Sequence, residues 1–200
     1  MDDVLYRKNK YVTKIPYFTY RDEVWQINTR HGGIYTKMLK AIIDQMLAML
    51  SYDTKLFVCR FDLHQIHGTV DSSHLSTFIQ ALKARLTREY GFRHIGYAWC
   101  REKASAQAQH YHLALMLEGH KIRTTYRMAK LVLAEWIKAG GSSIHRCNYH
   151  NVTLQSESLM DAVLHLSYLA KVEGKSGIPS RYKAFSPSRL KARTQKRGCE

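Results

Sequence analysis

Cysteine is scarce, four in 200 residues, and Cys59, Cys100, Cys147 and Cys199 stand far apart with no Cys-x-x-Cys pair. That excludes a disulfide framework and predicts free thiols in a reducing, cytoplasmic setting. No apolar run approaches the roughly 18 residues of a membrane span. The first residues, Met1 to Lys8, lack the apolar core of a signal peptide. Membrane, secreted and fibrous classes are thereby set aside, and there is no internal repeat. Acidic residues are also few: 16 stand against 31 lysines and arginines, a formal net charge of +15. Such an excess says little about fold but predicts a polyanionic partner.

What is present suits one well-buried domain. Hydrophobic residues are 45% and charged residues 24%, ordinary for a globular chain of 23.3 kDa. Residues 1–33 alternate aromatics (Tyr6, Tyr11, Tyr17, Phe18, Tyr20, Trp25) with Arg7, Lys8, Lys10, Lys14 and Arg21, and read as an irregular basic arm. Its rings would stack on unpaired bases or pack over a sheet edge. Helical spacing follows from Ile34 to about Leu50. KLFVCRFDL (55–63) reads as a strand, and Asp71-Ser72-Ser73 caps a helix that Gly91 ends near Tyr90. Strands are expected at about 93–101 and 109–117, joined as a hairpin. A helix over 123–138, a strand near 147–154 and a helix from Ser156 or Ser158 to about Val172 complete the pattern. From Lys55 the order is β-α-β-β-α-β-α. That predicts an α+β fold with a ferredoxin-like, split β-α-β antiparallel sheet and helices on one face. Beyond Gly174 the chain carries eight basic residues and one acid and reads as a flexible tail.

The segment richest in chemistry is His110-Tyr111-His112, within HYHLALML. Side chains alternate along a strand, so His110 and His112 share one face while Tyr111, Leu113, Leu115 and Leu117 take the other. Two imidazoles side by side can hold a metal ion, or simply solvate a sheet face. Glu102 ends the preceding strand, so a hairpin would bring its carboxylate beside them as a third ligand. Two nitrogens and one oxygen with open positions suit Mn²⁺ or Mg²⁺ as well as Zn²⁺. In the last helix, Tyr168 and Lys171 stand at i and i+3 and share a face. Tyr11-x-x-Lys14 and Tyr52-x-x-Lys55 repeat the spacing, but neither lies on a predicted helix.

Taken in order, Glu102, His110-x-His112 and Tyr168-x-x-Lys171 resemble an HUH endonuclease with a single catalytic tyrosine. The text through FVCRFDLH, GYAWCREK, HYHLALML, SYLAK and FSPSRL is similar to replication proteins of filamentous phages and prophages of the YagK/YfjJ type. The likeness spans roughly residues 50 to 190. It implies a nuclease domain over 51–174, set between the arm plus helix over 1–50, which it does not cover, and the basic tail over 175–200. It also implies metal-dependent nicking and joining of single-stranded DNA or a hairpin origin, initiating rolling-circle replication. The metal would be Mn or Mg on His110, His112 and Glu102, with Tyr168 as nucleophile and Lys171 beside it. Arg101, Lys103, Lys175, Arg181, Lys183 and Arg189 would bind DNA. Host helicase and polymerase would be partners, with no membrane and no nucleotide cofactor. Gly174-Lys175-Ser176 is no P-loop, because the earlier glycine falls on Leu169.

Other readings share these residues. A transposase or relaxase would use the same chemistry, and a nucleic-acid-binding regulator would keep the fold without it. A zinc hydrolase is disfavoured because Ala114 and Leu115 follow His112 where an Asp-His pair would be required. His145, Cys147 and His150 want a fourth zinc ligand and read as ordinary strand residues.

Overall fold

The computed structural model describes residues 11–65, 68, 69, 71–102, 110–175 and 183–194. Its centre is a five-stranded antiparallel sheet, built from β5 (Lys55–His64), β6 (Gly96–Glu102), β7 (His110–Glu118), β8 (Ser143–Thr153) and β9 (Phe185–Pro187), in the order β8-β5-β7-β6-β9. Four α-helices flank it: α1 (Thr36–Leu50), α2 (Ser73–Tyr90), α3 (Tyr126–Lys138) and α4 (Glu157–Leu166). Asp71 accepts hydrogen bonds from the Ser73 amide (3.0 Å) and hydroxyl (2.8 Å) as α2 starts. Gly91, at φ 65°, ends that helix in the left-handed conformation glycine adopts without strain.

Helices cover both faces of the sheet, not one. The crossover helices α2 and α3 pack on the side of Phe57, Cys59, Phe61, Leu63, Tyr111, Leu113, Leu115 and Leu117. Helices α1 and α4 pack on the side of Leu56, Val58, Ala98, Cys100, Ala114 and Met116. The reason lies in the strands themselves. LFVC in β5 and LALML in β7 are apolar without alternation, so each strand has two faces to remove from water. A single layer of helices would leave the second face exposed.

The N-terminal segment is more ordered than an irregular arm, and β1 (Val12–Thr13) pairs antiparallel with β4 (Ile34–Tyr35). β2 (Tyr17–Tyr20) and β3 (Glu23–Gln26) pair as a hairpin, turning through Arg21 (φ 58°) and Asp22 (φ 61°). Two successive positive φ values give the turn whose twist matches a two-stranded ribbon. Trp25 is buried against α1 and α4, and its indole N–H donates to the Tyr20 carbonyl at 2.9 Å. Residues 185–190 depart from a flexible tail in the same way. β9 pairs with β6, placing Pro187 on an outer strand where its missing N–H costs no ladder bond. Ser188 then donates to the Gln45 amide oxygen (2.6 Å), which also accepts from the Leu190 amide at 3.0 Å.

The last helix also stops early. α4 ends at Leu166 and gives way to a 3₁₀ turn over Ser167–Ala170, after which Lys171 bridges to Ile34. Gly33, just before Ile34, admits a different neighbour: at φ 98°, a Cβ there would lie 2.7 Å from the Thr13 carbonyl oxygen.

Candidate active site

Register brings the chemistry together. Across β6 and β7, Glu102 pairs with His110 and Cys100 with His112. Across β5 and β7, Asp62 pairs with His112 and His64 with His110. Directly opposed residues share a face, so one end of the α1/α4 face collects two carboxylates and three imidazoles. This end is not an open polar surface. Glu102 and His112 are each 2% exposed, while His110 is half-buried.

The Glu102 carboxylate is the hub. Its Oε2 lies 3.1 Å from His112 Nε2, 3.5 Å from His110 Nε2 and 3.0 Å from Lys171 Nζ. Its Oε1 lies 3.0 Å from Lys175 Nζ. Gly174, at φ 79°, lets the chain pass this closely, since a Cβ there would sit 3.2 Å from Oε2. Burial alone would raise the Glu102 carboxyl, but the two imidazoles and the Lys175 ammonium outweigh it and hold it far below the usual range. Asp62 follows the same logic. Burial raises it, yet His112 and Arg60 bring it down to about 2.

One ligand atom each from Glu102, His110 and His112 lies within 4.8 Å of the others, a spacing that could hold a metal ion. Two features test the fit. His112 Nδ1 meets Asp62 Oδ1 at 2.6 Å, and a carboxylate there holds a proton on Nδ1. Burial lowers the His112 pKa but Asp62 and Glu102 raise it further, so Nε2 offers its lone pair once a cation displaces its proton. Among the described residues, that buried Nε2 has no partner in hydrogen-bonding geometry, although Glu102 Oε2 is close by. With that proton displaced, two acceptor atoms converge on one point and suit a shared cation better than each other. The residues therefore fit a divalent ion.

Tyr168 stands beside this cluster. The expectation of one α-helical face for Tyr168 and Lys171 is replaced by the 3₁₀ turn, which brings positions i and i+3 into line still more directly. The Lys171 ammonium donates to the Tyr168 hydroxyl while also contacting Glu102. Burial would lower the Lys171 pKa, but the Tyr168 and Glu102 oxygens raise it, so its charge is secure at neutral pH. The Tyr168 ring meets the edges of His112 and His31, with centroids 5.2 and 5.4 Å away. The Arg60 guanidinium lies 4.6 Å from its centroid. Arg60 is itself fixed by Asp62 at 3.2 Å and by Cys147 Sγ at 3.2 Å. A β-bulge in the β5–β8 pairing, where the register shifts between Cys59 and Phe61, sets up the Cys147 contact.

A groove of about 450 Å³ opens next to Tyr168, lined by Asn28, Arg60, Asn148, His150, Asp161 and His165 among others. His150 Nε2 and His165 Nδ1 are 3.0 Å apart. Burial lowers both and holds His165 at about 4, so the pair is uncharged at neutral pH.

The profile of the YagK/YfjJ C-terminal domain family matches residues 20–188. The chain belongs to the YagK/YfjJ C-terminal domain family. No curated protein and no solved structure was found to match it. The family match takes in β3 with Trp25, and β9, so it extends beyond the residues 51–174 that carry the cluster.

The other expected residues divide. Lys183 and Arg189 are exposed. Arg101 is 4% exposed, with its guanidinium donating to the Thr69 carbonyl at 2.7 Å, and Lys175 is 7% exposed on Glu102. Both therefore lie inside the protein instead of on a free DNA-facing surface. Lys103 and Arg181 lie outside the described residues. Sequence reasoning passed over Arg60, Asp62 and His64, whose i, i+2, i+4 spacing in CRFDLH marks a polar end on one strand face. No described helix is long and apolar enough to cross a membrane. Cys59, Cys100 and Cys147 are free thiols.

Proposed function

We propose that this YagK/YfjJ-family domain is an HUH-type endonuclease that nicks and rejoins single-stranded DNA through Tyr168, initiating rolling-circle replication of a phage, prophage or plasmid. One juxtaposition carries the reading: a tyrosine hydroxyl and a buried Glu-His-His cluster share Lys171 between them. The strand order β8-β5-β7-β6, with α2 and α3 as crossovers on one face, supports the split β-α-β architecture.

Glu102, His110 and His112 would hold Mn²⁺ or Mg²⁺, which supplies Lewis-acid neutralisation of phosphate charge when bound. The chain's own residues do the rest. Asp62 fixes the His112 tautomer and orients its ring. Lys171 holds the Tyr168 hydroxyl and stabilises phenolate, offsetting the poor nucleophilicity of a phenol near pKa 10. Arg60 and the rings of His31 and His112 confine the tyrosine to one orientation. The groove beside it gives the strand a place to lie. The Tyr168 oxygen attacks phosphorus and the bond to the 3′-oxygen breaks. The products are a 5′-phosphotyrosine and, once that oxygen takes a proton, a free 3′-hydroxyl. Attack by a 3′-hydroxyl reverses the step and restores both phosphodiester and tyrosine, so joining needs no nucleotide. A polymerase would extend the free end, and strand separation would fall to a host helicase.

The test is a denaturing gel of the protein with Mn²⁺ and pooled single-stranded DNA, including fragments from its own locus. A covalent protein–DNA band is expected that disappears with EDTA and with Tyr168→Phe, while the variant's DNA affinity stays within about twofold, since one hydroxyl is lost. An adduct persisting in Tyr168→Phe would overturn the nucleophile. Tight binding with no adduct would favour a non-catalytic regulator.

A further inference from the structure

On the opposite, α2-bearing side of the sheet, a second groove of about 380 Å³ runs between α2 and β9. Lys83, Lys183 and Arg189 line it with Ser76, Gln80, Ser186, Tyr97 and Trp99, and no carboxylate is among its lining residues. All three cations are exposed, and no ion pair holds any of them among the described residues. The contrast with the candidate active site is chemical: there, each cation already faces an acid. Three unopposed charges in a protein carrying +15 hold their potential for an external anion.

From this arrangement we infer that the groove is a second nucleic-acid contact, which grips the phosphodiester backbone of single-stranded DNA away from the site of chemistry. Cations would take the phosphates, and the Ser76, Gln80 and Ser186 side chains would take sugar and phosphate oxygens. The half-buried Tyr97 offers an aromatic face to a base. The groove's walls favour a single strand: α2 stands on one side and the β9 segment on the other, and a duplex would ride over both. Tyr97 and Glu102 are five residues apart on β6, about 17 Å along the strand at 3.3 Å per residue. That odd spacing puts Tyr97 and Glu102 on opposite faces of the sheet, so a strand that meets both places must turn around the sheet's edge, and only the far place carries the nucleophile.

The inference deepens the nickase reading, but its test does not depend on cleavage. Binding of a labelled 20-residue oligothymidylate by the full chain would be followed by fluorescence anisotropy across a salt series. Tyr168→Phe protein without added metal would be used, so that no adduct forms. Each of Lys83→Gln, Lys183→Gln and Arg189→Gln should flatten the slope of log affinity against log salt by about 0.7, and the triple variant by about 2. Lys130→Gln, an exposed cation on α3, should leave the slope unchanged. A triple variant with the wild-type slope, or a protein that does not bind the oligonucleotide, would overturn the proposal. So would equal binding of a hairpinless duplex, or displacement by polyglutamate as effective as displacement by DNA of equal charge. A nickase that fails to form adducts would leave these slopes intact, which separates the two failures.

Discussion

The two faces of β7 share a backbone and solve different problems. On one face, Tyr111 is fully buried against Trp99 and Trp136, with ring centroids 6.2 and 5.9 Å apart. Beside it along the chain, His110 and His112 turn to the other face and meet Glu102. The Tyr111 side gains by removing apolar area from water, which is non-directional and tolerant of small shifts. The histidine side buries charge, which is costly unless each group is paired. It is therefore built from a closed set of partners: Asp62 on His112, Lys171 and Lys175 on Glu102, and Arg60 on Asp62. A strand can carry both because alternation isolates them within one residue.

Substitutions on either face sharpen the contrast. Tyr111→Ala should cost about 3–5 kcal/mol of stability, as large aromatic truncations in cores do, while leaving Mn²⁺ affinity per folded molecule unchanged. Chemical denaturation and calorimetric titration of the same protein check both halves. An equal loss of metal affinity would mean that the faces are coupled. His110→Ala should do the reverse. Its side chain is 29% exposed, so the fold survives, but Mn²⁺ affinity should drop at least about 100-fold, more than the loss of an outer-shell partner. Retained affinity would remove His110 from the ligand set. Asp62→Asn should weaken the metal about 10–100-fold by loosening the His112 tautomer. If titration shows wild-type affinity for that variant, Asp62 has no orienting role.

Smallest is the pH effect of the same carboxylate. With its pKa held at about 2, Asp62 contributes stability that is complete above its unfolded value near 3.9. That contribution is lost as the pH falls through about 2, and amounts to about 2 kcal/mol. Thermal melts of wild type and Asp62→Asn should therefore differ most above pH 4 and converge near pH 2. A constant difference would show that the interaction does not depend on ionisation.

Much of this was legible in the residues. The 55–63 strand follows from a short β-rich run, the helix ended by Gly91 from a 3.6-residue spacing and its stop residue, and the hairpin pairing Glu102 with His110 from the short loop between two strands. Other features left weaker traces. Trp25 and the Tyr17–Gln26 hairpin read as an arm because basic residues interrupt the apolar ones. The chain past Gly174 read as a tail because charge outweighs apolarity there, yet Gln45 on α1 anchors Ser188 and Leu190. Lys175 read as a DNA contact because a lysine in a basic run ordinarily faces water, and only Glu102 explains its burial.

The sequence by itself determined the order of elements, the shared face of His110 and His112, the apolar opposite face and the cationic surplus. These depend on local geometry and composition, which a chain carries wherever it folds. Tertiary structure alone decided that Tyr168 would sit on a 3₁₀ turn against His112, and that Glu102 would gather two histidines and two lysines. Those contacts join residues as much as 73 positions apart. Their partners are selected by how buried charge is neutralised once α1, α4 and the β6–β7 hairpin have packed together, and periodicity carries no record of that choice.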